Sequence, residues 1–371
     1  MSDFSIEETV FGLKITGVLN RQNVDKLLEF KNNDLVFLVD VENVTDIDFA
    51  GLRALVKTKY FSSKFCFYNI SDSLFCKIKD CGALNHIELI RKPIKLSSID
   101  NYRKSGEGFT AVSYNNNNND TVLKLYKSFI PFDAVIKEKY IVTAVSRLGI
   151  ATPMIGELVD YENCHGIIFE RIHDKKSYSR ALCDNFENMP ELVARFAKEC
   201  KMLHRIKCDT SCFVSANAVY IKVVSESKML NSDEKIRIIN AISRIEDSKT
   251  CLHGDMHYGN IIFTEDKKSF FIDLGDFGYG NEMYDLGILY LCSFWFPEEL
   301  IKEEYHLTKA QMKQCWDVFI REYFATDNQT SLERITYDVQ FFAALKVLFF
   351  ASRVEHEWMR PVVEEYLLSR V

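Results

Sequence analysis

The spacing of hydrophobic positions changes twice along the 371 residues. In the first hundred, Phe11, Leu13 and Ile15 alternate with polar or small neighbours, which predicts a strand. Val24, Leu27 and Leu28 have helical spacing, and Leu35 to Val41 is an apolar run broken only by Asp40, as in a central strand. Leu52, Leu55 and Val56 share one face of a helix expected from Gly51 to Tyr60. Phe65 to Tyr68 reads as a further strand, and Ser71 or Asp72 can cap a helix running through Lys79. Strands alternating with helices imply a small α/β sandwich.

From residue 101 the rhythm shortens. Val112-Ser113-Tyr114 and Thr121 to Tyr126 read as two strands joined by five Asn residues and Asp120, a run that suits a loose hairpin tip because Asn tolerates positive φ. A helix follows around Val135 to Val142, with Ile141, Val145 and Leu148 as its buried stripe, Gly149 ending it and Pro153 preventing its resumption. Gly166 to Ile172 reads as a buried strand ending in charge. Beyond that the pattern turns helical: Phe196 to His204, Tyr284 to Phe296, Lys309 to Tyr323 and Ser331 to Val354, the last three rich in aromatic residues.

The polar residues most specific for chemistry lie in His253-Gly254-Asp255-Met256-His257-Tyr258-Gly259-Asn260 and in Phe271-Ile272-Asp273-Leu274-Gly275-Asp276. Ile261 to Phe263 and Phe270 to Ile272 form a predicted hairpin around the polar turn Thr264 to Ser269. That hairpin brings Asn260 to one strand mouth and Asp273 to the other, with Asp255 on the loop before them. One carboxylate to orient and deprotonate a hydroxyl, and oxygen ligands for Mg²⁺, are what phosphoryl transfer from Mg-ATP needs.

This segment resembles the catalytic and metal loops of the aminoglycoside phosphotransferase and choline kinase superfamily, whose pattern is H-G-D-x-H-x-x-N, an apolar strand, then I-D-x-x-D. Every one of those positions is filled here. The resemblance implies a protein-kinase-like bilobal α+β fold, with an antiparallel-sheet N-lobe and a helical C-lobe. It further implies Asp255 as catalytic base, Asn260 and Asp273 as Mg²⁺ ligands, Asp285 as a buried brace and His253 as a structural residue. His257 fits a structural role and an approach to the phosphates equally.

An upstream nucleotide lobe is expected, and Ser105-Gly106-Glu107-Gly108-Phe109-Thr110-Ala111 supplies glycines before a strand. Gly106, Gly108 and Ala111 also match a dinucleotide-binding G-x-G-x-x-A, but strand, turn and strand follow where that motif needs a helix. On the resemblance, Gly106 and Gly108 cover ATP, Lys124 reaches its phosphates and Glu138 holds Lys124. Glu170 and Ile172 then belong to the hinge that meets the adenine edge. A hydroxyl-bearing small molecule is the expected acceptor. An amine-bearing one would suit Trp295, Tyr305, Trp316 and Trp358 with Asp276, Glu298, Glu299, Glu303 and Glu304, although such aromatic stripes usually form core. A protein kinase or regulatory module and a non-catalytic pseudokinase are the rival readings.

Leu38-Val39-Asp40-Val41 before Val44 to Leu52 resembles the sulfate-transporter and anti-sigma-factor-antagonist (STAS) domain over about residues 4 to 92. The antagonists carry a phosphorylatable Ser before the loop glycine; Ala50 stands there, with Phe49 before it, and Ser62, Ser63 and Thr45 are the nearby hydroxyls. Binding is the role such a domain would retain, of an anion at a helix N-terminus or of a protein partner, and a docking or stabilising appendage is the plainer reading. The expected division is a STAS-like domain at 1–92, a linker at 93–100, an N-lobe with hinge at 101–172, and a C-lobe at 173–371.

Composition narrows this further. Net charge is −7, and residues 1–100, with 13 Lys/Arg and 14 Asp/Glu, leave nearly all of it to the kinase-like part. That disfavours nucleic acid as a partner. Eleven Cys without a C-x-x-C pair suggest reduced thiols and a cytoplasmic setting; Cys208 and Cys212 lack further zinc ligands. The start of the chain does not read as a signal peptide, and Ile288 to Phe296, the longest apolar run, is too short to span a bilayer.

Overall fold

In the computed structural model, residues 4–9, 12–29, 37–57, 65–81, 88–108, 110–354 and 356–371 are described. Phe11, Leu35, Tyr60, Ser62, Ser63 and Phe109, and the side chains of Leu55 and Val56, lie outside the described residues. The chain forms two compact units. The first comprises Met1–Arg147, Pro153–Arg171 and Ser211–Phe213; the second comprises Leu148–Thr152, Ile172–Thr210 and Val214–Val371.

The first unit opens with β1 (Ser5–Glu8), β2 (Gly12–Leu19), α1 (Val24–Glu29), β3 (Phe37–Ile47), α2 (Phe49–Lys57), β4 (Phe65–Ile70), α3 (Asp72–Asp80) and β5 (Glu88–Arg91). The five strands make one sheet in the order β1-β2-β3-β4-β5, antiparallel at its first pair and parallel thereafter. Leu13, Ile15, Leu19, Val39, Val41, Phe67, Leu74 and Ile78 pack into its core. Asp40, which interrupts the apolar run, is tolerated there because its carboxylate accepts from Asn69 Nδ2 at 3.1 Å and from Glu42 N at 2.9 Å. Ser71 caps α3, accepting from Leu74 N.

A second sheet follows, with β6 (Ile94–Lys95), β7 (Tyr102–Glu107), β8 (Ala111–Asn116), β9 (Thr121–Tyr126), α4 (Phe132–Arg147), β10 (Ile155–Tyr161) and β11 (Cys164–Glu170). Its order is β6-β10-β11-β9-β8-β7. The span expected as a linker therefore supplies an edge strand: Ile94 and Lys95 pair with Val159 and Asp160. Asn115 and Asn116 belong to β8, and the rest of the Asn run turns the hairpin, with Asp120 at φ +51°.

Helix α4 differs from its expected single stripe. Val135, Ile136, Tyr140, Ile141, Val142, Ala144 and Val145 are all buried, while Leu148 falls beyond its end and is only half-buried. The helix meets β3 of the first sheet as well as β10 and β11 of the second, so its buried positions spread around it rather than along one stripe.

The second unit is mostly helical. Its elements are β12 (Lys175–Ser177), α5 (Tyr178–Asp184), α6 (Met189–Leu203), α7 (Ala216–Glu226), α8 (Ser232–Ile242), β13 (Cys251–Leu252), β14 (Ile261–Thr264), β15 (Ser269–Phe271) and β16 (Gly278–Tyr279). Then come α9 (Met283–Phe294), α10 (Glu298–Tyr305), α11 (Lys309–Phe324), α12 (Gln329–Ala351) and α13 (Met359–Tyr366). Helices α9 and α12 approach so closely that a Cβ on Gly287 would lie 2.7 Å from Ala343 N. Trp316 and Tyr305, candidates for an amine cage, are core residues. Among the described residues no helix is long and apolar enough to cross a membrane.

Candidate active site

In the first unit, Lys124 on β9 and Glu138 on α4 meet as expected. Lys124 Nζ donates to Glu138 Oε1 at 2.7 Å, with side-chain exposures of 15% and 10%. A strand position beside a buried helix removes both groups from most of the water. The pair therefore needs this charge-assisted bond. Gly106 lies on β7 at a register irregularity against β8, and a Cβ there would meet nothing within 4 Å. Gly108 follows the strand and donates to Ala111 O at 2.9 Å, closing the β7–β8 turn. Glu170 ends β11 and folds back on Met154, whose N–H reaches Glu170 Oε2 at 3.0 Å. Ile172 is grouped with the second unit.

In the second unit the loop from His253 to Asn260 joins β13 to β14. Two anchors hold its start. Asp285, fully buried on α9, accepts from His253 N at 2.7 Å and Gly254 N at 2.8 Å, and pairs with His204 Nε2 at 3.0 Å. Burial alone would raise the Asp285 pKa; the His204 bond and the surrounding His253 contacts outweigh it and hold the carboxyl below its usual range. His253 donates from Nε2 to Ile272 O at 3.0 Å and accepts from Asp255 N at Nδ1. That arrangement requires the neutral ring, in keeping with a pKa lowered by burial. Gly254 has φ +79°, and a Cβ there would lie 2.0 Å from Asp276 O, so only glycine fits.

Asp255 thus stands at the end of a fixed peptide. Asn260 Nδ2 donates to Asp255 O at 2.8 Å and lies 3.4 Å from Asp255 Oδ2. Ile272 N donates to Asn260 O at 3.0 Å, so the β14–β15 hairpin sets Asn260 beside the residue preceding Asp273. Asp273 is exposed and takes φ +58°, a left-handed turn that leaves the hairpin at once. His257 is tied to the loop, its Nδ1 accepting from Gly259 N at 3.0 Å; its Nε2 lies 3.7 Å from Asp255 Oδ2.

The sequence reading missed Lys346. It sits on α12, 1% exposed, with Nζ 2.8 Å from Gly254 O, 3.7 Å from Asp255 Oδ1 and 3.8 Å from Asp276 Oδ2. Burial alone would raise the Asp255 pKa, but the Lys346 ammonium, with His257 next, reverses this and holds the carboxyl well below the usual range. Asp276, considered as an amine ligand, is paired internally with Lys346, and Glu298 is occupied by Lys309 N at 3.1 Å and Lys302 at 3.3 Å. No group of three or more His, Cys, Asp or Glu placed to hold a metal occurs among the described residues, Cys208 and Cys212 included. All eleven cysteines are free thiols.

Comparison with known proteins bears on the fold and on one segment of the chain. The model of the phosphotransferase enzyme family matches residues 227–317, which contain the loop, the hairpin and Asp285. No curated protein sequence matches the chain. The apo structure of a thermostable mutant of aminoglycoside phosphotransferase APH(4)-Ia is similar, with a TM-score of 0.50 at 11% identity over 73% of this chain and 94% of that one. A further mutant form of that enzyme, in a ternary complex with AMP-PNP and hygromycin B, also gives 0.50 at 11% identity, over 74% and 96%. An ethanolamine kinase from Plasmodium vivax follows at 0.46 and 16% identity, over 73% and 81%. At 11% identity the likeness to the two APH(4)-Ia structures defines the fold alone: a kinase-like α+β architecture, sheet-rich first and helical after.

Proposed function

We propose that this chain is an ATP-dependent phosphotransferase that moves the γ-phosphate of Mg-ATP to a hydroxyl of a small molecule. The observation that carries the reading is the Asp255 loop, pinned by Asp285 on its amides and continued by the Asn260–Asp273 hairpin. The family match over the same segment supports it.

Asp255 orients the acceptor hydroxyl. The hydroxyl oxygen forms a bond to the γ-phosphorus, the bond to the β–γ bridging oxygen breaks, ADP leaves, and the proton passes to the Asp255 carboxylate. Proton transfer is late, as a loose transition state allows. Asn260 and Asp273 would hold Mg²⁺, which when bound neutralises phosphate charge. One amide and one carboxylate would be enough protein ligands for such an ion, which is ordinarily completed by water and substrate phosphate oxygens. Lys124, held by Glu138, would contact the phosphates, with Gly106 and Gly108 offering backbone without a side chain at their own positions. Glu170 and Ile172 are proposed as the adenine-side positions.

The STAS-like reading of residues 1–92 belongs to this proposal, supported by the order of strands and helices and by the Asp48 side chain capping Gly51 N at 2.6 Å. An amine-bearing acceptor is its narrower form, resting on Glu299, Glu303 and Glu304, with Trp295 and Trp358 as the aromatic candidates outside the core. Burial raises the Glu304 pKa, while His257 acts against it.

Labelled ATP supplied with a metabolite pool and, separately, with a cell lysate tests the reading. Label should enter small molecules, and Asp255→Ala should lower its transfer by about 10²–10⁴-fold. Label appearing on protein instead, or wild-type turnover in the variant, would reject the assignment.

A further inference from the structure

Among the described residues Lys346 is the one lysine or arginine buried in the core, and nothing proposed above uses it. It sits on α12 three residues beyond Ala343, where α12 touches Gly287 of α9. The two helices therefore address the same loop peptide with opposite charges. Asp285 of α9 takes the His253 and Gly254 amides; Lys346 of α12 takes the Gly254 carbonyl at 2.8 Å.

The surroundings of Nζ account for the rest of the ammonium. Asp255 Oδ1 and Asp276 Oδ2 stand at 3.7 and 3.8 Å, and the Phe349 and Phe350 rings lie 4.4 and 5.1 Å away. Such a placement is costly, since it strips an ammonium of its water, and a methionine of similar length would fill the space without that cost. Packing alone does not call for a charge here. The two oxygens of Asp255 are also distinguished. Oδ2 faces Asn260 and His257, whereas among the ion pairs and hydrogen bonds of the described residues Oδ1 faces only Lys346.

We propose that Lys346 is a positioning residue for the phosphoryl transfer described above, fixing the rotation of the Asp255 carboxylate through Oδ1 while holding the Gly254 peptide and Asp276. The inference rests on that reading of the site. Lys346 is too buried to touch an acceptor, so it acts through Asp255. Its removal should slow turnover without weakening nucleotide binding.

The test measures ADP release from Mg-ATP with water as the acceptor, for the wild type, Lys346→Met and Lys346→Arg, alongside thermal unfolding. Lys346→Met is expected to fold and to lose about 10–100-fold in kcat, the usual effect of removing a group that orients a reacting one. Its KM for ATP should stay within about threefold, as for an interaction made chiefly in the transition state. Lys346→Arg, which keeps the cation, should recover part of the loss. Wild-type kcat in a folded Met variant overturns the proposal, as does a loss matched by an equal rise in KM. Should the Met variant not fold, a folded Arg variant with activity at the Asp255→Ala background overturns it too. A wild-type chain whose ADP release equals that background rejects the phosphotransferase reading itself, a result distinct from the others.

Discussion

Asp285 shows how a single carboxylate can organise a loop. Its two oxygens receive two backbone amides and one imidazole, all without solvent. Asp285→Asn cannot satisfy both amides, because one terminus of the new side chain is itself a donor. At pH 7 the substitution should cost about 3–5 kcal/mol, the range for removing one partner of a buried pair. The sign with pH follows from the depressed pKa. A carboxyl lowered in the folded state stabilises fully above its unfolded value of about 3.9, and the contribution fades as pH falls through the folded value. Urea unfolding at pH 7 and at pH 3 should show the gap between variant and wild type narrowing in acid; a gap of constant size would contradict the account. That these residues meet was legible because they sit at fixed offsets: Asp255, Asn260, Asp273, Asp285 and Gly254 all belong to one short segment. Lys346 was not legible. It lies 91 positions from Asp255, and a lysine in a helix ordinarily reads as a solvated face.

At the level of elements, the Lys124–Glu138 bond joins β9 to α4 and could be anticipated from the order strand, helix and acid. What the periodicity could not give was the spread of burial around α4, because a single-stripe expectation assumes one neighbour and this helix has a sheet on each flank. Nor could composition show that residues 94–95 pair with β10, since Pro93 and the serines after it read as a break. The functional weight of the β9–α4 bond can be tested. Lys124→Ala removes a cation proposed to meet the phosphates, and a hydrogen bond to a charged group contributes about 1.5–3 kcal/mol, so KM for ATP should rise roughly tenfold or more. Glu138→Gln keeps the shape and should raise it less. Equal KM values for both variants and the wild type would remove Lys124 from the nucleotide site.

At the scale of the whole molecule, the first unit makes one structure of its two sheets, with α4 as the joint. Near the helix start, Tyr68 of β4 donates to Asp133 Oδ1 at 2.8 Å and sets its ring edge-on to Phe132 at 6.0 Å. At the helix end, Arg147 forks onto Glu88 of β5 with bonds of 2.7 and 3.0 Å. Glu138 stands between these two fastenings, so the first sheet helps to set where that carboxylate points. The Arg147 pair is largely solvated and contributes at most about 1 kcal/mol, while the Tyr68 bond contributes about 1 kcal/mol. Tyr68→Phe combined with Glu88→Ala should therefore leave the chain folded but less firmly held along 132–147. Hydrogen exchange should quicken in α4 and remain unchanged in α12 of the second unit, and KM for ATP should rise severalfold with kcat preserved. If α4 exchanges as slowly in the double variant as in the wild type, the first sheet is an appendage to the nucleotide-binding elements; if exchange and KM move together, it is part of them.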